Sequence, residues 1–147
     1  MRQAVELTDA ERQRIVQVAE KYIGVPYEWG GQGFWWEDDA TVDCSGFVIN
    51  VYKEALADRS LPFDDSTVME IYTRWSTPCS APAAGDLVFM GDGTDGEPSH
   101  IGIVLAVEGD CLEFIDASSL PGIMGVSIRS YPLDNPKILS FGHMMLL

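Results

Sequence analysis

Three residues stand where their surroundings favour reactive chemistry: Cys44, His100 and Asp116. Cys44 follows Asp43, a favoured N-cap, and opens a predicted helix. The unpaired N–H groups of a helix's first turn carry partial positive charge, which favours thiolate over thiol. Ser45-Gly46 adds little bulk beside it, so an acyl group can approach closely. A buried structural cysteine is the competing reading, and the local sequence supports the two equally. His100 heads the apolar run Ile101–Val107 and follows a glycine-rich loop, a position near a sheet edge where a cleft can form. Imidazole titrates near neutrality and suits a general base for a thiol, although an edge histidine facing water fits the same pattern. Asp116 is a polar break late in the apolar segment Cys111–Ala117. It can hold the imidazole tautomer, or it can simply bond the turn at Ser118-Ser119. Tyr27, in Pro26-Tyr27-Glu28-Trp29-Gly30-Gly31, can offer its phenol to an oxyanion or can be a packing residue. Together these residue types point to nucleophilic attack on an acyl carbon.

Other candidates carry less. Cys79 and Cys111 form no Cys-x-x-Cys pair with Cys44, so a structural zinc site is not expected. The acidic loop from Gly91 to Pro98 does not follow EF-hand ligand spacing, and a flap beside His100 is the better expectation. No metal and no cofactor is called for, and His143 reads as a packed or surface histidine. The loop from Gln32 to Val42 holds Phe34, Trp35 and Trp36 beside Glu37, Asp38 and Asp39. Three adjacent large aromatics in a short loop suggest that some, Trp35 and Trp36 first, line the cleft or a partner surface. A loop folded over its own aromatic cluster is the alternative.

The elements that must position these groups are helices first and strands afterwards. Thr8-Asp9-Ala10-Glu11 has the capping-box pattern and predicts a helix from Asp9 to Ile23, with Gly24 and Pro26 ending it. A second helix spans Cys44 to Ala57, with Phe47, Val48, Val51, Tyr52 and Ala55 on its apolar face. A third follows Asp65 or Ser66 and ends near Trp75. Strands are expected at Asp86–Met90, His100–Val107, Cys111–Asp116, Val126–Tyr131 and Ile138–Leu146. Glu108-Gly109-Asp110 joins two of them as a hairpin. This order implies an α+β fold with an antiparallel sheet of about five to six strands.

The chain has 147 residues, 46% of them hydrophobic, which is enough for one domain with a full core. Its net charge of −14 repels phosphate backbones and anionic membranes, so nucleic-acid binding is not expected. No stretch approaches the roughly 20 apolar residues of a membrane span. The first residues lack a signal-peptide core, which leaves three expectations open: the chain stays in the cytoplasm where it is made, it reaches a cell wall by a signal-less route, or its signal has been removed.

Four segments resemble the NlpC-type (p-sixty) family of cell-wall cysteine peptidases in order and spacing. They are Tyr22–Gly31, Asp43-Cys44-Ser45-Gly46-Phe47-Val48, Gly85-Asp86-Leu87-Val88-Phe89 and Ser99-His100-Ile101-Gly102-Ile103-Val104. The resemblance covers nearly the whole chain. It implies a papain-like core in which the cysteine helix packs on a sheet carrying the histidine. It also implies Cys44 as nucleophile, His100 as base, and a polar third residue, often histidine, where this chain has Asp116. Tyr27, Asp43 and Ser45 match positions that help to recognise the free amino end of a stem peptide. The activity implied is cleavage of a peptidoglycan stem-peptide amide, most often between D-glutamate, through its γ-carboxyl, and a diamino acid. The expected partner is therefore peptidoglycan or a free stem peptide, with a phage-structural or delivery partner to bring the chain to it. The alternatives are an amidase, acyltransferase or effector toxin on the same core, or a non-catalytic binding module.

Overall fold

A capping box starts the first helix where the hydroxyl–Glu spacing predicts it. In the computed structural model, which describes residues 6–91 and 96–147, the Thr8 side chain accepts the Glu11 N–H while Glu11 reaches back to the Thr8 N–H. Helix α1 covers Asp9–Lys21, shorter at its end than expected because Tyr22 already caps it. Gly24 then takes φ 93°, a left-handed conformation that glycine adopts without penalty, and its N–H bonds the Val126 carbonyl. Helix α2 covers Cys44–Ala55 and helix α3 covers Val68–Arg74. The cap of α3 is Thr67, not Asp65 or Ser66, because Thr67 and Glu70 form a second capping box.

The strands are β1 (Ser76–Cys79), β2 (Leu87–Met90), β3 (His100–Glu108), β4 (Cys111–Ser118), β5 (Gly125–Pro132) and β6 (Ile138–Met144). They form one antiparallel sheet in the order β1-β6-β2-β3-β4-β5. Strand β1 was not anticipated. It is four residues long, contains Pro78, and pairs only with β6 at the sheet's edge, where a missing N–H is tolerated.

Helix α2 is buried on nearly every side from Ser45 to Tyr52, held between α1 and the sheet. Phe47, Val48, Val51 and Tyr52 pack there with Ile15 and Ala19 of α1 and with Ile101, Ile103 and Ile115 of the sheet. Fully burying each large apolar side chain contributes about 1.5–3 kcal/mol, so this contact fixes the start of α2 against the sheet. A smaller cluster of Val88, Met90, Val104, Leu112 and Phe114 covers the opposite face. Coverage on both faces explains why β2 and much of β3 are apolar without alternation.

Polar ties lock the same contact. The Tyr52 hydroxyl donates to the Gly85 carbonyl. Buried Asp86 accepts from Arg12 at 3.0 Å, from His143 Nδ1 at 2.9 Å and from the Ala83 N–H at 2.9 Å. No helix among the described residues is long and apolar enough to cross a membrane.

Candidate active site

The local sequence around Cys44 folds as it does because Asp43 turns the chain into α2. Asp43 is extended, with φ −96° and ψ −176°, and its Oδ1 accepts the Gly46 N–H at 2.6 Å. Oδ2 accepts the Gly30 N–H at 3.2 Å, and the Ser45 hydroxyl donates to Oδ1 at 3.3 Å. Glycine is required at position 46: a Cβ there would sit 2.3 Å from the Gly31 carbonyl oxygen and 2.9 Å from Asp43 Oδ1. The cap uses the Gly46 N–H, which leaves those of Cys44 and Ser45 at the open end of the helix.

Strand β3 brings His100 to that helix end. The imidazole stands beside the Cys44 thiol, close enough for that thiol to shift its pKa, and both line the same cavity. Its Nε2 lies 2.6 Å from Asp116 Oδ2. With Nε2 committed to Asp116, Nδ1 is the nitrogen left for the thiol. Gly102, two residues along the same strand face, leaves room for this: a Cβ there would lie 3.2 Å from Asp116 Cβ and 3.1 Å from the Ile115 carbonyl oxygen.

Asp116 does not terminate its strand. It lies within β4, opposite Ser127 of β5, and is fully buried. Its second partner, absent from the sequence reading, is Arg129 of β5. Arg129 Nε meets Oδ1 at 3.1 Å and Nη2 meets Oδ2 at 2.5 Å, while Nη1 donates to the Tyr131 hydroxyl at 3.0 Å. No local pattern in the sequence marks this pair, because it rests on the β4–β5 register.

The charges are mutually consistent. Burial pulls the His100 pKa down, but the hydrogen bond to Asp116, the neighbouring Cys44 thiol and the charges of both outweigh it, leaving it raised to about 9. Burial raises the Asp116 pKa, but His100 and Arg129 outweigh that and hold it below the usual carboxylate value. Burial, and then the nearby Cys44 and Asp43, raise that of Tyr27, so its phenol keeps its proton.

Cys44 sits where two cavities meet, and the pair share Tyr27, Trp29, Cys44 and Ser99 in their walls. One arm, about 330 Å³, runs past His100, Ser118, Arg129 and Lys137. The other, about 450 Å³, runs past Asp43, Ser45, Asp65 and Glu70 toward α3.

The structure therefore brings Cys44, His100, Asp116, Tyr27, Asp43 and Ser45 together. It does not bring Trp35 or Trp36 to them, which corrects the expectation that these two line the cleft. Trp35 donates Nε1–H to Glu54 at 2.9 Å and lies under the Lys21 ammonium at 5.1 Å. Trp36 stacks on Phe34 at 4.6 Å. These partners tie the loop to the outer sides of α1 and α2. The cleft's tryptophan is Trp29, 87% exposed and common to both arms. Residues 92–95 of the expected flap lie outside the described residues.

The family model of the NlpC/P60 family matches residues 24–135. The chain belongs to the NlpC/P60 family. "Probable endopeptidase p60" of Listeria monocytogenes is 38% identical over 89 residues, covering 60% of this chain and 16% of that protein. "Dipeptidyl-peptidase 6" of Lysinibacillus sphaericus is 29% identical over 96 residues, covering 65% of this chain and 30% of that protein. The chain thus spans less than a third of the length of either relative. A solved NLP/P60-family structure from Staphylococcus aureus, described as similar to lipoprotein, superposes with a TM-score of 0.67 at 26% identity, over 97% of this chain and 44% of that one. NlpC1 of Trichomonas vaginalis has a TM-score of 0.63 at 18% identity over 99% of this chain and 47% of that one, a likeness of fold alone.

One further cluster could offer metal ligands. Among the described residues, Cys79, Asp86 and His143 present potential ligand atoms within 4.8 Å of one another. Both Asp86 oxygens, however, already have donors, and the Arg12 guanidinium supplies the positive charge there. The cluster is an ion-pair node of the fold.

Proposed function

We propose that this NlpC/P60 chain is a cysteine endopeptidase that hydrolyses a peptidoglycan stem-peptide amide, at the bond from the γ-carboxyl of D-glutamate to a diamino acid. The observation that carries the chemistry is His100 held on Asp116 at 2.6 Å while it lines one cavity with Cys44, at the junction of the two arms. The relatives' names, an endopeptidase and a dipeptidyl-peptidase, support peptide hydrolysis.

In this mechanism His100 takes the Cys44 proton. The thiolate attacks the amide carbonyl carbon, and the oxyanion is met by the Cys44 N–H and the Tyr27 hydroxyl, which has no other hydrogen bond among the described residues. His100 gives its proton to the departing nitrogen as the C–N bond breaks, leaving a thioester. Water, deprotonated by His100, then attacks the thioester; the acid leaves and the thiol is restored. Asp116 holds the imidazole orientation and stabilises its charged form, and Arg129 keeps Asp116 ionised. Asp43 and Ser45 face the arm that would take the substrate's amino end. No cofactor takes part.

The test is digestion of purified peptidoglycan and of free stem peptides by wild type and Cys44→Ala, read by mass spectrometry. A Cys44-dependent cut between D-glutamate and the diamino acid is expected. A cut at the sugar-linked end would make the chain an amidase, and cleavage that survives in Cys44→Ala would refute the nucleophile.

A further inference from the structure

The two arms that meet at Cys44 are oppositely charged. The larger arm presents Asp43, Asp65 and Glu70, and no lysine or arginine is among its described lining residues. The smaller presents Arg129 and Lys137, with no aspartate or glutamate among its described lining residues. Arg129 is already committed to Asp116 and Tyr131. Lys137 is not committed: among the described residues its ammonium has no ion-pair or hydrogen-bond partner. Among the described lysines and arginines of this chain of net charge −14, Arg74 and Lys137 have no ion-pair partner, and of these two Lys137 lines the cleft. Arg12, Arg14, Lys21, Lys53, Arg59 and Arg129 each stand beside a carboxylate.

The backbone of Lys137 is held in place. Its carbonyl accepts the Gly91 N–H at 2.9 Å, and its own N–H donates to Asn135 Oδ1 at 2.9 Å. Gly91 lines the same arm. The side chain thus starts from a fixed point on the cleft wall, and only its own rotamers need ordering.

A peptide has a direction. Its amino end lies on the acyl side of any scissile amide, and its carboxyl end lies on the leaving side. An arm of acids and an arm with an unpaired ammonium impose that direction on a bound peptide. We propose that Lys137 forms a carboxylate-binding subsite for the leaving fragment. The preferred substrate is then a short peptide whose diamino acid carries a free carboxylate next to the released amine. This rests on the stem-peptide reading, because that reading assigns the acidic arm to the substrate's amino end.

The experiment uses the full chain and two peptides, L-alanyl-γ-D-glutamyl-L-lysine with a free C-terminal carboxylate and the same peptide as its carboxamide. The carboxamide also changes the basicity of the leaving amine, so Lys137→Met is the control for that effect. The preference in KM for the carboxylate peptide should be roughly threefold to fivefold larger in the wild type than in Lys137→Met, the scale of one exposed ion pair. High salt should narrow it, and Lys137→Arg should keep it. Equal preference in wild type and Lys137→Met overturns the subsite. If neither peptide is cleaved, the hydrolysis reading fails instead, and binding of both peptides to the Cys44→Ala protein, followed by NMR shifts, decides the subsite alone. A carboxylate preference that disappears with Lys137→Met supports it, and one that is absent or persists overturns it.

Discussion

Arg129 grips Asp116 with two nitrogens, Nε on Oδ1 at 3.1 Å and Nη2 on Oδ2 at 2.5 Å, while His100 takes the same Oδ2 at 2.6 Å. Asp116 is fully buried and the Arg129 side chain is 13% exposed, so the carboxylate depends on these partners for its charge. Removing the guanidinium leaves a buried anion facing one imidazole. Arg129→Met should therefore cost roughly 3 kcal/mol of stability, read by urea denaturation. It should also lower kcat more than it raises KM, because Arg129 acts through Asp116 and His100. A change in KM alone would mean that Arg129 serves only to bind substrate.

The raised His100 pKa makes a pH prediction. A base whose folded pKa of about 9 exceeds its ordinary 6.5 stabilises the fold fully below pH 6.5 and loses that contribution as pH rises through about 9. Asp116, held below its ordinary 3.8, stabilises above that value and loses the contribution as pH falls through its folded pKa. The pair therefore supports the fold most between these limits. Activity should fall on the alkaline side near pH 9, as His100 loses the proton it gives to the leaving amine. Asp116→Asn removes the carboxylate charge that raises the pKa. It should move that alkaline limb to lower pH and cut kcat by about 10²-fold or more. NMR titration of the imidazole in both proteins checks the assignment, and an unmoved His100 pKa in Asp116→Asn would sink it.

Much of this site was legible in the sequence, and its limits have physical causes. Asp43, Cys44 and Gly46 lie within one turn, so cap, thiol and close approach are local facts that spacing reveals. The strands carrying His100 and Asp116 were visible as apolar runs, and Gly109 at φ 58° makes the predicted turn between them. The Asp116–Arg129 pair was not legible. It depends on the β4–β5 register, which pairs Asp116 with Ser127 and brings Arg129 diagonally to it. Strand β1 was missed because Ser76-Thr77-Pro78-Cys79 has neither alternation nor an apolar run. Trp35 and Trp36 were misplaced because Glu54, Lys21 and Phe34, not hydrophobicity, decide where they go.

Two glycines should fail differently. A methyl at position 46 meets backbone at 2.3 Å, and neither Gly31 nor the α2 cap can yield without moving Cys44. Gly46→Ala should destabilise the fold by roughly 3 kcal/mol or more and abolish turnover. At position 102 the contacts are 3.1–3.4 Å, tight but not prohibitive. Gly102→Ala should fold with a modest loss of melting temperature, yet lose activity, because its methyl presses on Asp116 and disturbs the bond to His100. Circular dichroism melts read beside kcat separate the two. Equal behaviour of the variants would contradict this account.

The tryptophans offer the cleanest contrast between binding and support. Trp29 is 87% exposed and lines both arms, so its ring can cover a bound peptide on either side of Cys44. Trp29→Ala removes that apolar surface without opening the core. It should raise KM by roughly threefold to tenfold while leaving stability within about 0.5 kcal/mol. Trp35 touches neither arm, and its bonds are to Glu54 and Lys21. Trp35→Ala should lower stability by about 1 kcal/mol through the lost hydrogen bond and cation–π contact, with KM for the stem peptide unchanged. Steady-state kinetics beside urea melts read both quantities. If Trp35→Ala raised KM as Trp29→Ala does, the Gln32–Val42 loop would have to close over the cleft during binding, and the assignment of its aromatics to the outer sides of α1 and α2 would not describe the working enzyme.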